Sequence, residues 1–245
     1  MLSKSQIKLI TSLKQKKYRL QHQLFVAEGK KTIFELLASN LQLHQLFTTT
    51  LEFAVSDVLM TQISEVELKK ISFLKNPNTA LAVFKIPKSK PVDYTKLVLA
   101  VDNVRDPGNL GTIIRLCDWF GVKDMICNLE TVDCYNPKVI QATMGSITRV
   151  NVVYLNLEET LSEQNIDSFG AFMDGDNVYT MALASSGILV LGNEANGISK
   201  QVEAKIIQRI SIPRFGDLQT TESLNVANAG AILLSEFKRR ALTEK

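Results

Sequence analysis

The chain has 245 residues, of which 45% are hydrophobic and 22% charged, a balance that is ordinary for a water-soluble globular protein. No apolar run approaches the roughly 18 residues of a membrane span, and the first residues lack the apolar stretch of a signal peptide, so we expect a cytoplasmic protein. The three cysteines lack CxxC spacing and the two histidines are well separated, which disfavours a metal site and a histidine-centred catalytic triad.

The formal net charge of +3 is unevenly distributed along the chain. Residues 1–31 hold eight lysines and arginines against one glutamate, a net charge of +7, so the rest of the chain carries −4. A solvated helix face would explain most basic stretches, but an asymmetry this large favours a surface that binds phosphate. The candidate contacts in this segment are Lys14, Lys16, Lys17 and Arg19.

The first 86 residues alternate between helical and strand patterns. Apolar residues at helical spacing among lysines predict a basic amphipathic helix over residues 3–15. Strands are predicted at residues 24–28, 43–48 and 81–86, and helices at residues 30–38 and 64–72. Ser64 and Glu67 have the spacing of a capping box at the start of the last of these helices. A proline- and lysine-rich linker follows at residues 87–96, so we expect a small α/β domain over residues 1–90 and a second domain over residues 91–245.

The segment of residues 97–122 organises the second domain. An apolar strand at residues 97–101 leads into a polar loop, and a helix follows at residues 110–120 with Asn109 as its predicted N-cap. Further strands are predicted at residues 123–128, 150–154, 169–173, 188–192 and 206–212, and helices at 136–142, 158–164 and from Ser223 onward. This alternation predicts a mostly parallel sheet with helices on both faces. Ligands of such sheets bind at the loops that follow the strands.

The last helix carries two apolar rows, which predicts burial on two faces. One row contains Leu224, Ala227, Ala231 and Leu234, and the other contains Val226, Gly230, Leu233 and Phe237. The sheet of the same chain can cover one face. We expect a second subunit to cover the other, which makes the protein a homodimer.

Three motifs of the second domain, NVRDPGNLGTIIR, LGNEANGIS and IP…SLNV, resemble in order and spacing those of the SpoU (TrmH-like) family of RNA ribose methyltransferases. The resemblance covers residues 97–240, and SLKQKKYRL…LFVAEGK is similar to the family's substrate-binding domain. It implies methyl transfer from S-adenosylmethionine to a ribose 2′-hydroxyl of ribosomal or transfer RNA. It also implies a trefoil knot in the catalytic domain and RNA binding by the first domain.

The motif matches imply a set of site residues. The implied catalytic residues are Asn109, Arg115, Glu194, Ser223 and Asn225. The implied cofactor-binding residues are Leu191, Gly192, Ile212 and Leu224. In the family pattern the arginine holds the target phosphate and promotes deprotonation of the hydroxyl, although a guanidinium itself hardly deprotonates.

Structural alternatives to these roles stay open at the level of sequence. Asn109 and Ser223 are each good helix caps, and Arg115 could pair with Asp118 or Asp106 instead of binding phosphate. The loop of residues 215–222 is longer than the commonest form in the family, so its contacts are not predicted.

Two other functional classes compete with the methyltransferase hypothesis. A catalytically silent RNA-binding protein would keep the fold, but the motif residues named above are all present, which argues against silence. A dinucleotide-binding oxidoreductase is disfavoured because no GxGxxG follows a predicted strand.

Overall fold

The computed structural model describes residues 2–163, 166–216 and 223–243, and these divide into two compact units. The first unit joins the chain up to Lys88 with Asp133–Thr148, and the second joins Ser89–Val132 with the chain from Arg149. Residues 133–148 therefore belong to the first unit although they follow part of the second in sequence. The division of the chain into domains at residue 90 stays a prediction.

Helices and strands alternate along the whole described chain. The helices are α1 (Lys4–Ser12), α2 (Lys16–His22), α3 (Lys30–Leu37), α4 (Glu65–Ile71), α5 (Pro107–Trp119), α6 (Pro137–Thr143), α7 (Leu157–Glu163), α8 (Lys200–Glu203) and α9 (Val226–Thr243). The strands are β1 (Leu24–Glu28), β2 (Leu43–Thr48), β3 (Met60–Gln62), β4 (Ala80–Lys85), β5 (Leu97–Val101), β6 (Asp124–Cys127), β7 (Asn151–Tyr154), β8 (Ser168–Asn177), β9 (Gly187–Leu191) and β10 (Gln208–Ser211).

The first unit is built on a mixed sheet with the order β1-β4-β2-β3, in which β3 runs parallel to β2 and the other pairs are antiparallel. The capping box predicted for α4 is confirmed, since Ser64 and Glu67 exchange side-chain and backbone hydrogen bonds. The basic helix predicted over residues 3–15 is confirmed as α1, with Ser3 as its N-cap, but it ends at Ser12, three residues earlier than predicted. Leu13 is fully buried and Gln15 has an extended backbone, so the chain turns there and starts again as α2.

Arg19 has a structural role in the first unit. Its side chain is 2% exposed, and its guanidinium donates to Asp133 at 2.5 and 2.8 Å and to the carbonyl oxygens of Leu13 and Lys14 at 2.8 and 2.9 Å. A buried guanidinium with four hydrogen bonds is not available to a phosphate of another molecule. The expectation that Arg19 belongs to the phosphate-binding surface is therefore corrected, whereas Lys14, Lys16 and Lys17 are exposed.

The second unit contains a six-stranded sheet with the order β10-β8-β9-β5-β6-β7, and all its pairs are parallel, as predicted. Ile188 and Val190 of β9 lie in one apolar cluster with Leu157 of α7 and Val202 of α8. Because side chains alternate along a strand, the residues between them face the opposite side. Helix α9 covers that side, where its Phe237 meets Phe169 of β8 edge to face with ring centroids 5.1 Å apart. Helices therefore pack on both faces of the sheet.

Both apolar rows of α9 are mostly buried within its own unit. Val226, Ala227, Leu233, Leu234 and Phe237 are each less than 7% exposed. Gly230 lies so close to β9 that a Cβ added there would be 3.0 Å from a methyl group of Leu191. The argument that one row of α9 needs a second subunit is therefore wrong.

None of the described helices is both long and apolar enough to cross a membrane.

Candidate active site

The candidate site lies where the strand order in the sheet of the second unit reverses. Strands β6 and β7 extend the sheet on one side of β5, whereas β9, β8 and β10 extend it on the other. Such switch points leave a crevice beyond the carboxyl ends of the strands, where ligands of open parallel sheets bind. The loops after β5, β9 and β10 hold the three motifs noted in the sequence.

A cavity of about 1000 Å³ opens at this edge of the sheet, large enough for a cofactor. Its walls include four residues predicted to bind a cofactor and two predicted catalytic residues, namely Leu191, Gly192, Ile212, Leu224, Glu194 and Ser223. Sequence reasoning missed Phe172 and Asp174 of β8, which form a further wall of the cavity. Phe172 lies within the strand predicted over residues 169–173, and the strand continues to Asn177, which adds Asp174 to the wall.

Gly192 makes the floor of the cavity possible. A Cβ at this position would lie 2.2 Å from the carbonyl carbon of Gly197, which is too close for any residue other than glycine. The backbones of Asn193 and Gly197 exchange two hydrogen bonds of 2.9 Å each, which closes the loop over Gly192. Backbone groups thus approach the cavity without a side chain between them, which allows main-chain contacts to a ligand.

The start of α5 differs from the sequence prediction. Its N-cap is Asp106, whose side chain accepts a 2.8 Å hydrogen bond from the backbone N–H of Asn109, and Pro107 takes the first helical position. The expectation that Asn109 caps the helix is therefore wrong. The amide side chain of Asn109 is instead available for contacts with other loops.

Three of the predicted catalytic residues form a chain of hydrogen bonds. The side-chain Nδ2 of Asn225 donates to Oδ1 of Asn109 at 3.0 Å, and Nδ2 of Asn109 donates to a carboxylate oxygen of Glu194 at 2.5 Å. Asn225 is also the cap of α9, since its Oδ1 accepts from the backbone N–H groups of Ala227 and Asn228. That cap fixes which end of the Asn225 amide faces Asn109. Because the Oδ1 of Asn109 accepts from Asn225, its Nδ2 is the end that faces Glu194 and donates to the carboxylate.

Arg115 is exposed and lies outside this chain. Both structural partners considered for it are already engaged, since Asp118 accepts from Arg149 at 2.9 Å and Asp106 caps α5. Within the described residues no side chain pairs with Arg115. The guanidinium is therefore free to bind a group from outside this subunit.

The residues of the third motif lie at the cavity and at the start of α9. Ser223 lies on the cavity wall and is exposed, whereas the cap of α9 is Asn225. Residues 217–222, most of the long loop noted in the sequence, lie outside the described residues. Among the residues that are described, no group of three or more histidine, cysteine and acidic side chains could hold a metal ion.

The sequence of residues 96–235 matches the model of the SpoU rRNA Methylase family. The chain belongs to this family. Residues 4–82 match a second model, the MRM3-like substrate binding domain, which agrees with the resemblance noted for the first domain. As a member of this family, the chain uses S-adenosylmethionine as its cofactor and RNA as its substrate.

Relatives of this SpoU methylase span nearly its whole length. The 23S rRNA (guanosine(2553)-2′-O)-methyltransferase RlmP of Bacillus subtilis is 29% identical over 231 residues, which cover 91% of this chain and 92% of that protein. The structure of a putative RNA methyltransferase of the TrmH family from Porphyromonas gingivalis is 40% identical, with a TM-score of 0.89 over 98% of this chain and 99% of that one. An S-adenosylmethionine-bound rRNA methyltransferase from Sinorhizobium meliloti is 28% identical, with a TM-score of 0.86 over 98% and 96% of the two chains.

Proposed function

We propose that this SpoU methylase transfers a methyl group from S-adenosylmethionine to one ribose 2′-hydroxyl of ribosomal RNA. The observation that carries the proposal is the cavity beside the hydrogen-bonded chain of Asn225, Asn109 and Glu194. Ribosomal rather than transfer RNA is favoured because the Bacillus subtilis relative acts on 23S rRNA and spans the same length.

The residues of the cavity would hold the cofactor, which supplies a methyl group on a cationic sulfur. Leu191 and Gly192 would contact it from the β9 loop, and Ile212 and Leu224 from the loop after β10. The protein must then hold the acceptor hydroxyl in line and assist the loss of its proton. Positioning of this kind supplies about 7–11 kcal/mol of the barrier in the best cases.

Arg115 is proposed to bind the phosphate next to the target ribose. Its charge is fixed, and a guanidinium can hold two phosphate oxygens at once. Glu194 and Asn109 would orient the reacting groups, and Ser223 would face them from the cavity wall. The catalytic residues implied by the motifs are all present, which supports an active enzyme over a catalytically silent relative.

A homodimer remains part of the proposal, although it now rests on a different surface. Trp119 is 84% exposed at the end of α5, one turn beyond Arg115 on the same helix face. We propose that a second copy of the chain covers Trp119. Sedimentation of Trp119→Glu should show a monomer where the parent chain shows a dimer, and a monomeric parent at micromolar concentration would contradict the idea.

The three cysteines, Cys117, Cys127 and Cys134, are buried and form no disulfide bond. Reduced thiols agree with a reducing compartment, so the proposal includes a cytoplasmic location. The trefoil knot implied by the family resemblance also stays a prediction.

Two glycines of the cavity wall allow a matched test of the function. Gly192→Ala would drive a Cβ into the backbone of Gly197, whereas a Cβ at Gly216 would meet no atom within 4 Å. The parent and Gly216→Ala proteins should bind S-adenosylmethionine by calorimetry and methylate 23S rRNA, and Gly192→Ala should do neither. If the parent protein binds the cofactor but leaves ribosomal RNA unmodified while it methylates transfer RNA, the proposed substrate is wrong.

A further inference from the structure

A buried carboxylate at the end of β5 joins three strand ends. Asp102 is 1% exposed. One of its oxygens accepts from the side-chain Nδ2 of Asn128 and the other from the backbone N–H of Ser199, each at 2.7 Å. Its own N–H donates to the carbonyl oxygen of Leu191 at 2.8 Å. Asp102 thus connects β5 with the ends of β6 and β9 and with the segment that follows the β9 loop.

Asn128 joins Asp102 to the first motif through further hydrogen bonds. Its Oδ1 accepts from the backbone N–H of Asn103 at 2.9 Å and from the hydroxyl of Thr131 at 2.7 Å. Asn103 has a positive φ of 66°, and its carbonyl oxygen accepts from Nδ2 of Asn193 at 2.7 Å. Asn193 directly precedes Glu194. Hydrogen bonds therefore run from Asp102 and Asn128 to the residue next to the acid of the site.

We propose that Asp102 and Asn128 are positioning residues that hold the first and second motif loops at the separation where Asn109 meets Glu194. The inference rests on the proposed function, because it concerns the same site. No cation pairs with Asp102 within the described part of the chain, so neutral donors alone compensate its burial. A buried carboxylate without its hydrogen bonds is strongly disfavoured, and this fixes the geometry of the groups that supply them.

The single substitution Asp102→Asn would turn an acceptor into a donor. If the new amide keeps its oxygen toward the N–H of Ser199, its NH2 group faces the NH2 group of Asn128. The contact of position 102 with Ser199 or its contact with Asn128 must therefore break, and the two loops should separate. Because a shift of about 1 Å can reduce a rate by 10²-fold, we expect kcat to fall by about 10- to 100-fold with a smaller change in KM for S-adenosylmethionine.

The exchange of both residues supplies a rescue. In the double variant Asp102→Asn with Asn128→Asp, the amide at position 102 can donate to the carboxylate at position 128 and still accept from Ser199. The carboxylate can still accept from Asn103 and Thr131, so every hydrogen bond is kept with the charge moved. We expect kcat to return to within about threefold of the parent value, since geometry is restored. A double variant as slow as Asp102→Asn would overturn the positioning role.

Asp124→Asn is the matched control. Asp124 is also a buried acid that accepts from an asparagine, with 2.8 Å between its Oδ1 and Nδ2 of Asn151, but it lies at the amino ends of β6 and β7. Asp124→Asn should lower the melting temperature of the protein and leave kcat unchanged. An equal loss of kcat in this variant would reduce the effect of Asp102→Asn to general destabilisation and overturn the inference.

Amide hydrogen exchange tests the same network without methyl transfer. The backbone N–H of Ser199 should exchange faster in Asp102→Asn than in the parent, and at the parent rate in the double variant. Unchanged protection of Ser199 in Asp102→Asn would contradict the inference. This measurement holds even if the parent protein methylates no ribosomal RNA, so failure of the function and failure of the positioning role are distinguishable.

Discussion

The structure distinguishes between two roles of Arg115 that the sequence left open, phosphate binding and a structural ion pair. A buried structural arginine would have destabilised the fold on removal, but Arg115 is exposed and its two possible partners are engaged elsewhere. Removal of an exposed side chain of this kind usually changes stability by less than about 0.5 kcal/mol. Its effect should therefore appear in the reaction.

We expect Arg115→Ala to keep its melting temperature and its affinity for S-adenosylmethionine, and to methylate RNA about 10²–10³ times more slowly. Arg115→Lys should recover only part of the rate, because a lysine does not bind a phosphate with two parallel hydrogen bonds. Single-turnover transfer, measured beside thermal melts of the same preparation, checks both. Near-normal transfer by a folded Arg115→Ala protein would remove the residue from the proposed site.

At the scale of single elements, β8 depends on a residue from its neighbour β10. The guanidinium of Arg209 lies 3.7 Å from the ring centroid of Phe172 and donates to Asp174 at 2.5 Å, and it also pairs with Glu203. Phe172 and Asp174 form one wall of the cavity. Arg209 therefore holds that wall through an aromatic face and a carboxylate together.

Arg209→Gln should weaken S-adenosylmethionine binding by roughly three- to tenfold, since both contacts to the wall are lost. Hydrogen bonding from Arg209 lowers the pKa of Asp174, so the contact is present at neutral pH and is lost as pH falls through that lowered pKa. Calorimetric titration with the cofactor measures the change. Arg149→Gln removes another exposed arginine of the same unit from its partner Asp118 and should leave the affinity unaltered.

The sequence predicted the regular elements better than their ends. Apolar periodicity was sufficient for β1, β2 and β5, whose bounds agree with the prediction. Strand β3 and helix α8 were missed because three or four residues are too few to show a period. The cap of α5 was misassigned because Asp106 and Asn109 are both good caps, and only the three-dimensional structure shows which one turns toward the helix.

The candidate site was predictable in its motifs but not in its connections. The family resemblance implied Asn109, Glu194 and Asn225, while the hydrogen bonds between them join residues far apart in sequence. Asp102 and Asn128 carried only a local signal, a polar residue directly after an apolar strand. Arg19 was indistinguishable from its lysine neighbours, since its partner Asp133 is more than a hundred residues away.

At the scale of the whole molecule, the excess positive charge belongs to the first unit, and α2 presents part of it. Lys14, Lys16 and Lys17 are exposed, and each phosphate contact to single-stranded RNA contributes about 0.7 to the slope of log affinity against log salt. Replacing all three by alanine should weaken RNA binding and lower that slope by about 2. Filter binding at several salt concentrations measures both quantities.

Lys69, Lys70 and Lys75 are three exposed lysines of the same unit and provide a control with the same change in charge. Their replacement should leave the slope nearly unaltered if contact is local to residues 14–17. Equal losses from the two triple variants would show a diffuse electrostatic effect instead of a binding surface.

The two-part construction of the first unit has a consequence for how the protein is made. A ribosome releases residues up to 88 long before residues 133–148, yet Arg19 needs Asp133, and the ring of Phe25 packs on Tyr135 with centroids 4.9 Å apart. A nascent chain that ends before Asp133 therefore holds a cation without its counter-charge and an aromatic ring without its neighbour. The first unit therefore cannot be completed until residues 133–148 have been made, and by then β5 and β6 of the parallel sheet have also been synthesised.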